Sequence, residues 1–210
     1  SAESEVEACY RDARISRIYE GTNEINRLLI VKMVLKKAIK GEIDLFGQAK
    51  EVGKELMRIP YFDNSSKGVF KEYKSVLRNL KKIILMIAGT ASEKLGVKIG
   101  DEQEIMMNIS EMIIETYMLE SALLKTEKLT TNEGGNQQQE RISMCVNFLH
   151  STVDKFIKNG KEAIYALTQG DEQKILLLGL KRFTKVKPDN LKNHRRLIAK
   201  KLIEENKYCF

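Results

Sequence analysis

The chemistry this 210-residue sequence could do is concentrated in one stretch, Arg11 to Arg27, which reads RDARISRIYEGTNEINR. Glu20 sits there between Tyr19 and the pair Gly21-Thr22. Gly21 permits a backbone turn that other residues resist, and Thr22 is a good helix N-cap. A carboxylate on a glycine-broken turn is ordinarily a solvated surface group. A turn between two helices nevertheless holds it off the helix surface, where it can reach into a neighbouring cleft. Beside an apolar ligand its pKa would rise, and it could act as a general base.

No other stretch offers comparable chemistry. Cys9, Cys145 and Cys209 are scattered and odd in number, with no CxxC pair, so they read as reduced thiols in a reducing compartment. His150 and His194 lie far apart without ligand partners at helical spacing, and we expect structural or solvent-exposed roles and no metal. The net charge of +7 and pI of about 9.2 favour an anionic partner. Nucleic acid is disfavoured, because the positive charge is spread along helix faces without a recognised binding signature. An anionic membrane surface or a phosphorylated ligand stays open. The longest apolar run, Lys82 to Ala88, is too short to span a bilayer, and no signal peptide is seen.

The elements that must position Glu20 are helices. Hydrophobic residues make up 42% and charged residues 31%, the profile of a soluble globular protein, and two prolines leave little to interrupt helices. The pattern predicts a helix over 1–17, a turn at Tyr19–Thr22, and a helix from Asn23 to Lys40 stopped by Gly41. Its expected apolar positions are Ile25, Leu28, Leu29 and Met33. Residues 43–64 read as a connector with room for a short helix over Ile43–Met57, broken by Ile59-Pro60-Tyr61-Phe62-Asp63-Asn64. Beyond it, three long amphipathic helices are expected over 67–95, from Asp101 to about Leu123, and from Asn136 to about Ile164. Asp101–Glu104 reads as a capping box, and Gly134-Gly135 closes the second hairpin. A segment over 172–183 and a last helix from Asn190 to about Asn206, capped by Pro188-Asp189, complete the pattern. Short turns between long amphipathic helices imply an antiparallel up-and-down bundle, all-α, over 65–210. Met106, Met107, Met112, Met118 and Met144 are expected to fill its core.

The string Arg11, Asp12, Ala13, Ile15, Tyr19, Glu20, Gly21, Thr22, Ile25, Arg27 resembles the end of the catalytic domain of the acyl-CoA dehydrogenases, with its R-D-A-x-I segment and its I-[YF]-E-G-T-x-x-I-x-R turn and helix. The resemblance covers about the first 40 residues, assigning 1–42 to the end of that domain. The remainder is more loosely similar to the extra C-terminal helical domain of the very-long-chain branch. The resemblance implies that Glu20 removes the α-proton of a fatty acyl-CoA while the β-hydrogen passes as hydride to FAD, giving a trans-2-enoyl-CoA. It implies a substrate contact at Gly21 and flavin contacts at Thr22, Asn23 and Glu24. Polarisation of the thioester carbonyl would come from the backbone N–H of Glu20 and a flavin hydroxyl.

Two departures from the family pattern bear on this. Ala8 stands where a basic residue is expected, and the family's upstream Gly-Gly-x-Gly stretch is missing, because the chain begins after it. The flavin-binding domains are absent too, so the expectation is a fragment that is inactive alone. Also implied by the family are an electron-transfer flavoprotein as partner, a homo-oligomer, and a cytoplasmic (bacterial) or mitochondrial (eukaryotic) location. The basic C-terminal end, Lys181 to Lys207, invites peripheral membrane attachment as in that branch, or is simply a solvated face. The alternative function is a helical interaction module, docking on membrane or protein, whose motif is inert.

Overall fold

A computed structural model describes residues 5–58, 69–132, 138–207 and 209. Among these are eight α-helices and no strand: α1 (Glu5–Ile15), α2 (Asn23–Ile39), α3 (Leu45–Leu56), α4 (Val69–Leu95), α5 (Gln103–Asn132), α6 (Gln138–Leu167), α7 (Gly170–Phe183) and α8 (Leu191–Glu205). The all-α expectation holds. A 3-10 turn, Gly96–Asp101, joins α4 to α5.

Ion pairs between helices fix the register. Lys74 pairs with Glu127 and Lys81 with Glu120, each at 2.7 Å, so rising numbers on α4 meet falling numbers on α5. Across α5 and α6, Thr126 meets Cys145 at 3.0 Å and Glu115 meets Thr152 at 3.2 Å. Both pairs run antiparallel, as the short connections require. The partly exposed Lys74–Glu127 and Lys81–Glu120 pairs contribute little energy, about 0–1 kcal/mol each, and serve here as markers of alignment. The stabilisation comes from the seam itself. Leu80, Ile83, Ile87 and Ala91 of α4, Met106, Ile109, Met112 and Leu119 of α5, and Leu149, Phe156 and Ile164 of α6 are fully buried.

Smaller helices close the sides. α3 lies antiparallel on α4, where Lys82 pairs with Glu55 at 2.7 Å and Gly89 faces Ala49. A Cβ on Gly89 would lie 2.6 Å from the Cβ of Ala49, so only glycine allows this approach. Arg182 of α7 donates to the carbonyls of Glu55 (3.0 Å) and Arg58 (3.2 Å), satisfying the open end of α3. α8 rests on α6 through His194, whose Nδ1 is 2.9 Å from Ser143 Oγ and whose Nε2 is 3.2 Å from Asp189. His194 thus has the structural role expected of it. Among the described residues no cluster of His, Cys, Asp and Glu could hold a metal, and no helix is long and apolar enough to cross a membrane.

Several local expectations need correcting. α1 ends at Ile15, two residues short, because residues 16–21 turn to carry Glu20. Asp101 does not cap α5. It closes the 3-10 turn, and the helix starts after Glu102. Likewise α8 is capped by Asn190, which accepts from the Asn193 N–H at 3.4 Å, while Asp189 accepts from the Asn190 N–H. Tyr117, placed in the α5 stripe, is exposed, and Met118 is half-exposed, whereas Met106 and Met112 are core. On α2 the buried residues are Val31, Leu35 and Ala38, and Leu28 packs against the same core as expected. Ile25, Leu29 and Met33 face outward. The Pro60 break and Gly134-Gly135 lie outside the described residues.

Two outcomes follow from this core. Phe156→Ala removes a fully buried ring at the α5–α6 seam and should lower unfolding free energy by about 3–5 kcal/mol in a denaturant titration. Burial pushes the Cys145 thiol above its ordinary range, against the opposing hydrogen bond from Thr126. At pH 8 in native protein, a thiol reagent should therefore modify exposed Cys9 readily and leave Cys145 untouched until denaturant is added.

Candidate active-site turn

The turn forms because two residues take up left-handed backbone. Glu20 has φ +53° and Gly21 φ +93°. Glycine accepts this at no steric cost, whereas a glutamate there is strained by roughly 1 kcal/mol. Strain of this kind persists only where the surroundings enforce it. On the N-terminal side the Ile18 N–H donates to the Ile15 carbonyl at 2.9 Å, and the Asn23 N–H reaches back to the Arg17 carbonyl at 3.1 Å. On the other side the Thr22 hydroxyl oxygen accepts from the Ile25 N–H at 3.2 Å, the N-cap expected from sequence. Asn26 Nδ2 donates to the Gly21 carbonyl at 2.8 Å. These bonds tie the chain from Ile15 to Asn26 into one corner.

A further set of bonds ties this corner to the bundle. Arg27 donates from its guanidinium to the Asn23 carbonyl at 3.1 Å and forms a charge-assisted hydrogen bond to Glu111 of α5. The Ser110 hydroxyl, wholly buried, donates to the Arg27 carbonyl at 2.8 Å. Arg27 belongs to the motif read from sequence, but Asn26, Ser110 and Glu111 were not singled out. A side-chain amide five residues after a turn glycine is a local signal that could have pointed to Asn26. Nothing in a single sequence connects Arg27 to residues 83 and 84 positions away.

Each proposed site residue sits on this corner. Glu20, Gly21 and Glu24 are exposed, while Thr22 and Asn23 are half-buried. Several apolar side chains near them are uncovered. Every described side chain from Glu7 to Gly21 is exposed, including Tyr10 at 82%, Ile15 at 57%, Ile18 at 55% and Tyr19 at 51%. Ile25, Leu29 and Met33, one helical stripe of α2, are exposed too. α1 makes no extensive contact with any other helix.

The backbone at Glu20 gives a direct check. Glu20→Gly removes the left-handed strain, so its thermal midpoint should equal or exceed that of the parent despite the lost side chain. Gly21→Ala should do the opposite. It places a methyl 2.8 Å from Asn26 Oδ1 at φ +93° and should cost about 1–2 kcal/mol.

Comparisons with known proteins bear on the family and the fold. Two family models, both described as "Acyl-CoA dehydrogenase, C-terminal domain", match residues 1–35 and 79–182. A probable acyl-CoA dehydrogenase of Bacillus subtilis (strain 168) is 38% identical over 206 residues, which is 98% of this chain and 34% of that protein. The crystal structure of an acyl-CoA dehydrogenase complexed with FAD from Bacillus anthracis superposes with a TM-score of 0.91 at 36% identity, over all of this chain and 35% of that one. This chain thus spans about a third of each relative's length. The 1–35 match contains the Glu20 corner, the 79–182 match contains most of α4 to α7, and the chain belongs to the acyl-CoA dehydrogenase family.

Proposed function

We propose that this chain is the C-terminal part of a flavin-dependent acyl-CoA dehydrogenase, in which Glu20 takes the α-proton of a fatty acyl-CoA and the product is a trans-2-enoyl-CoA. The observation that carries the reading is the strained left-handed Glu20, on a corner whose chain neighbours Ile18, Tyr19 and Ile25 are exposed apolar side chains. A carboxylate in that setting is solvated until something apolar covers it. Enclosure against an acyl chain would strip that water and make it a competent base. The left-handed corner at Glu20 and Gly21 would let backbone approach the thioester closely, and the Glu20 N–H could donate to its carbonyl oxygen. That donation acidifies the proton Glu20 removes.

The residues present fit a flavin along one wall. Thr22 accepts from the Ile25 N–H and keeps its hydroxyl proton as a donor, and Asn23 lies half-buried beside it. Glu24 is exposed on the same first turn. These three would hold FAD, which when bound supplies the hydride acceptor. The exposed apolar face of α1 and α2 is read as the surface that packs against the rest of the enzyme. The 210-residue chain alone is therefore expected not to turn over.

Glu20→Gln in the full-length flavoprotein is the test. It keeps the shape and removes the base, so acyl-CoA-dependent acceptor reduction should fall by roughly 10²–10⁴-fold while flavin content is unchanged. Turnover within a few-fold of the parent would overturn the assignment.

A further inference from the structure

We infer that Glu111 and Ser110 of α5 are positioning residues for Glu20, acting through Arg27, so that the helical bundle sets the aim of the active-site base. The path is short and continuous. Buried Ser110 fixes the Arg27 carbonyl at 2.8 Å, which sets the height of α2 against α5. Glu111 holds the Arg27 guanidinium, which in turn donates to the Asn23 carbonyl at 3.1 Å. Asn23 belongs to the corner itself, its N–H bonded to the Arg17 carbonyl across the turn.

Three facts make this more than a surface ion pair. The Arg27 and Glu111 side chains are only 25% and 32% exposed, so their attraction is less screened than that of the outlying pairs. The guanidinium makes two bonds in different directions, one to α5 and one to the corner, and its planar fork holds both at once. And among the described residues α1, on the corner's far side, packs on no other helix extensively. What fixes Glu20 relative to the body of this chain is therefore the α2–α5 seam. Because a misplacement of about 1 Å at a reacting group can cost up to 10²-fold in rate, a loosened seam should appear in catalysis before it appears in folding.

The kinetic arm of the test rests on the reading of Glu20 as the base; the structural arm does not. In the full-length protein, Glu111→Gln keeps the shape and removes the charge. It should speed amide hydrogen exchange at residues 18–26 several-fold while exchange in α4 and α6 stays unchanged. It should also lower kcat roughly 10-fold with KM within about twofold, since alignment rather than substrate binding is disturbed. The exchanged pair Arg27→Glu with Glu111→Arg should recover part of both effects relative to Arg27→Glu alone. Unchanged exchange at residues 18–26 in Glu111→Gln overturns the positioning role whatever the kinetics. Faster exchange with kcat unchanged overturns it too, provided Glu20→Gln is inactive in the same assay. If Glu20→Gln remains active, the base assignment falls, and the exchange data alone decide whether α5 anchors the corner.

Discussion

The structure depends on the burial of α5 along its length. Ile105, Met106, Ile109, Met112, Leu119 and Leu123 are buried, with Ser110, Glu115, Thr116 and Thr126 among them. A helix apolar on more than one face packs on several neighbours at once, and α5 keeps only a narrow solvent side with Tyr117, Met118 and Leu124 on it. α4 and α6 enclose it on two sides and α2 on a third. The polar groups taken inside are each given a partner on another helix or on the preceding turn. Glu115 meets Thr152 and Lys155, Thr126 meets Cys145, Thr116 bonds the Met112 carbonyl, and Ser110 bonds the Arg27 carbonyl. A buried carboxylate left alone would be costly, so these bonds also specify which helix lies where.

Sequence to function runs through this helix. Its α4 and α6 sides carry most of the apolar burial that stabilises the bundle. Its α2 side carries the bonds that reach the Glu20 corner. A protein that needed only a rigid bundle could put any apolar residues against α2. Instead, a buried hydroxyl and a partly shielded carboxylate grip the helix that presents the candidate base. The same bundle leaves Tyr10 and Ile15 of α1 and Ile25, Leu29 and Met33 of α2 uncovered, which suits a surface made to meet another folded part.

Much of this was legible in the amino-acid sequence, for identifiable reasons. The α4 and α6 stripes follow helical spacing so regularly that Leu80, Ile83, Ile87, Val153 and Phe156 could be placed in the core directly. The Thr22 cap was legible because capping is local. α2 was harder, since it is apolar on two faces. Spacing alone could not tell that Val31 and Leu35 pack on α5 while Ile25 and Leu29 stay exposed. The Asn190 cap was missed by one residue, because the preceding Asp189 offers the same signal. The Arg27–Glu111 contact was beyond reach, since long-range pairing leaves no trace in one sequence.

The most direct measurement of the central claim is the position of the Glu20 carboxylate in a crystal structure of the full-length flavoprotein with a non-reactive acyl-CoA analogue. The account predicts a carboxylate oxygen about 3–3.5 Å from the analogue's α-carbon, with the Arg27–Glu111 bond intact behind it. A Glu20 side chain still facing solvent, or an α-carbon approached by a different carboxylate, would contradict it.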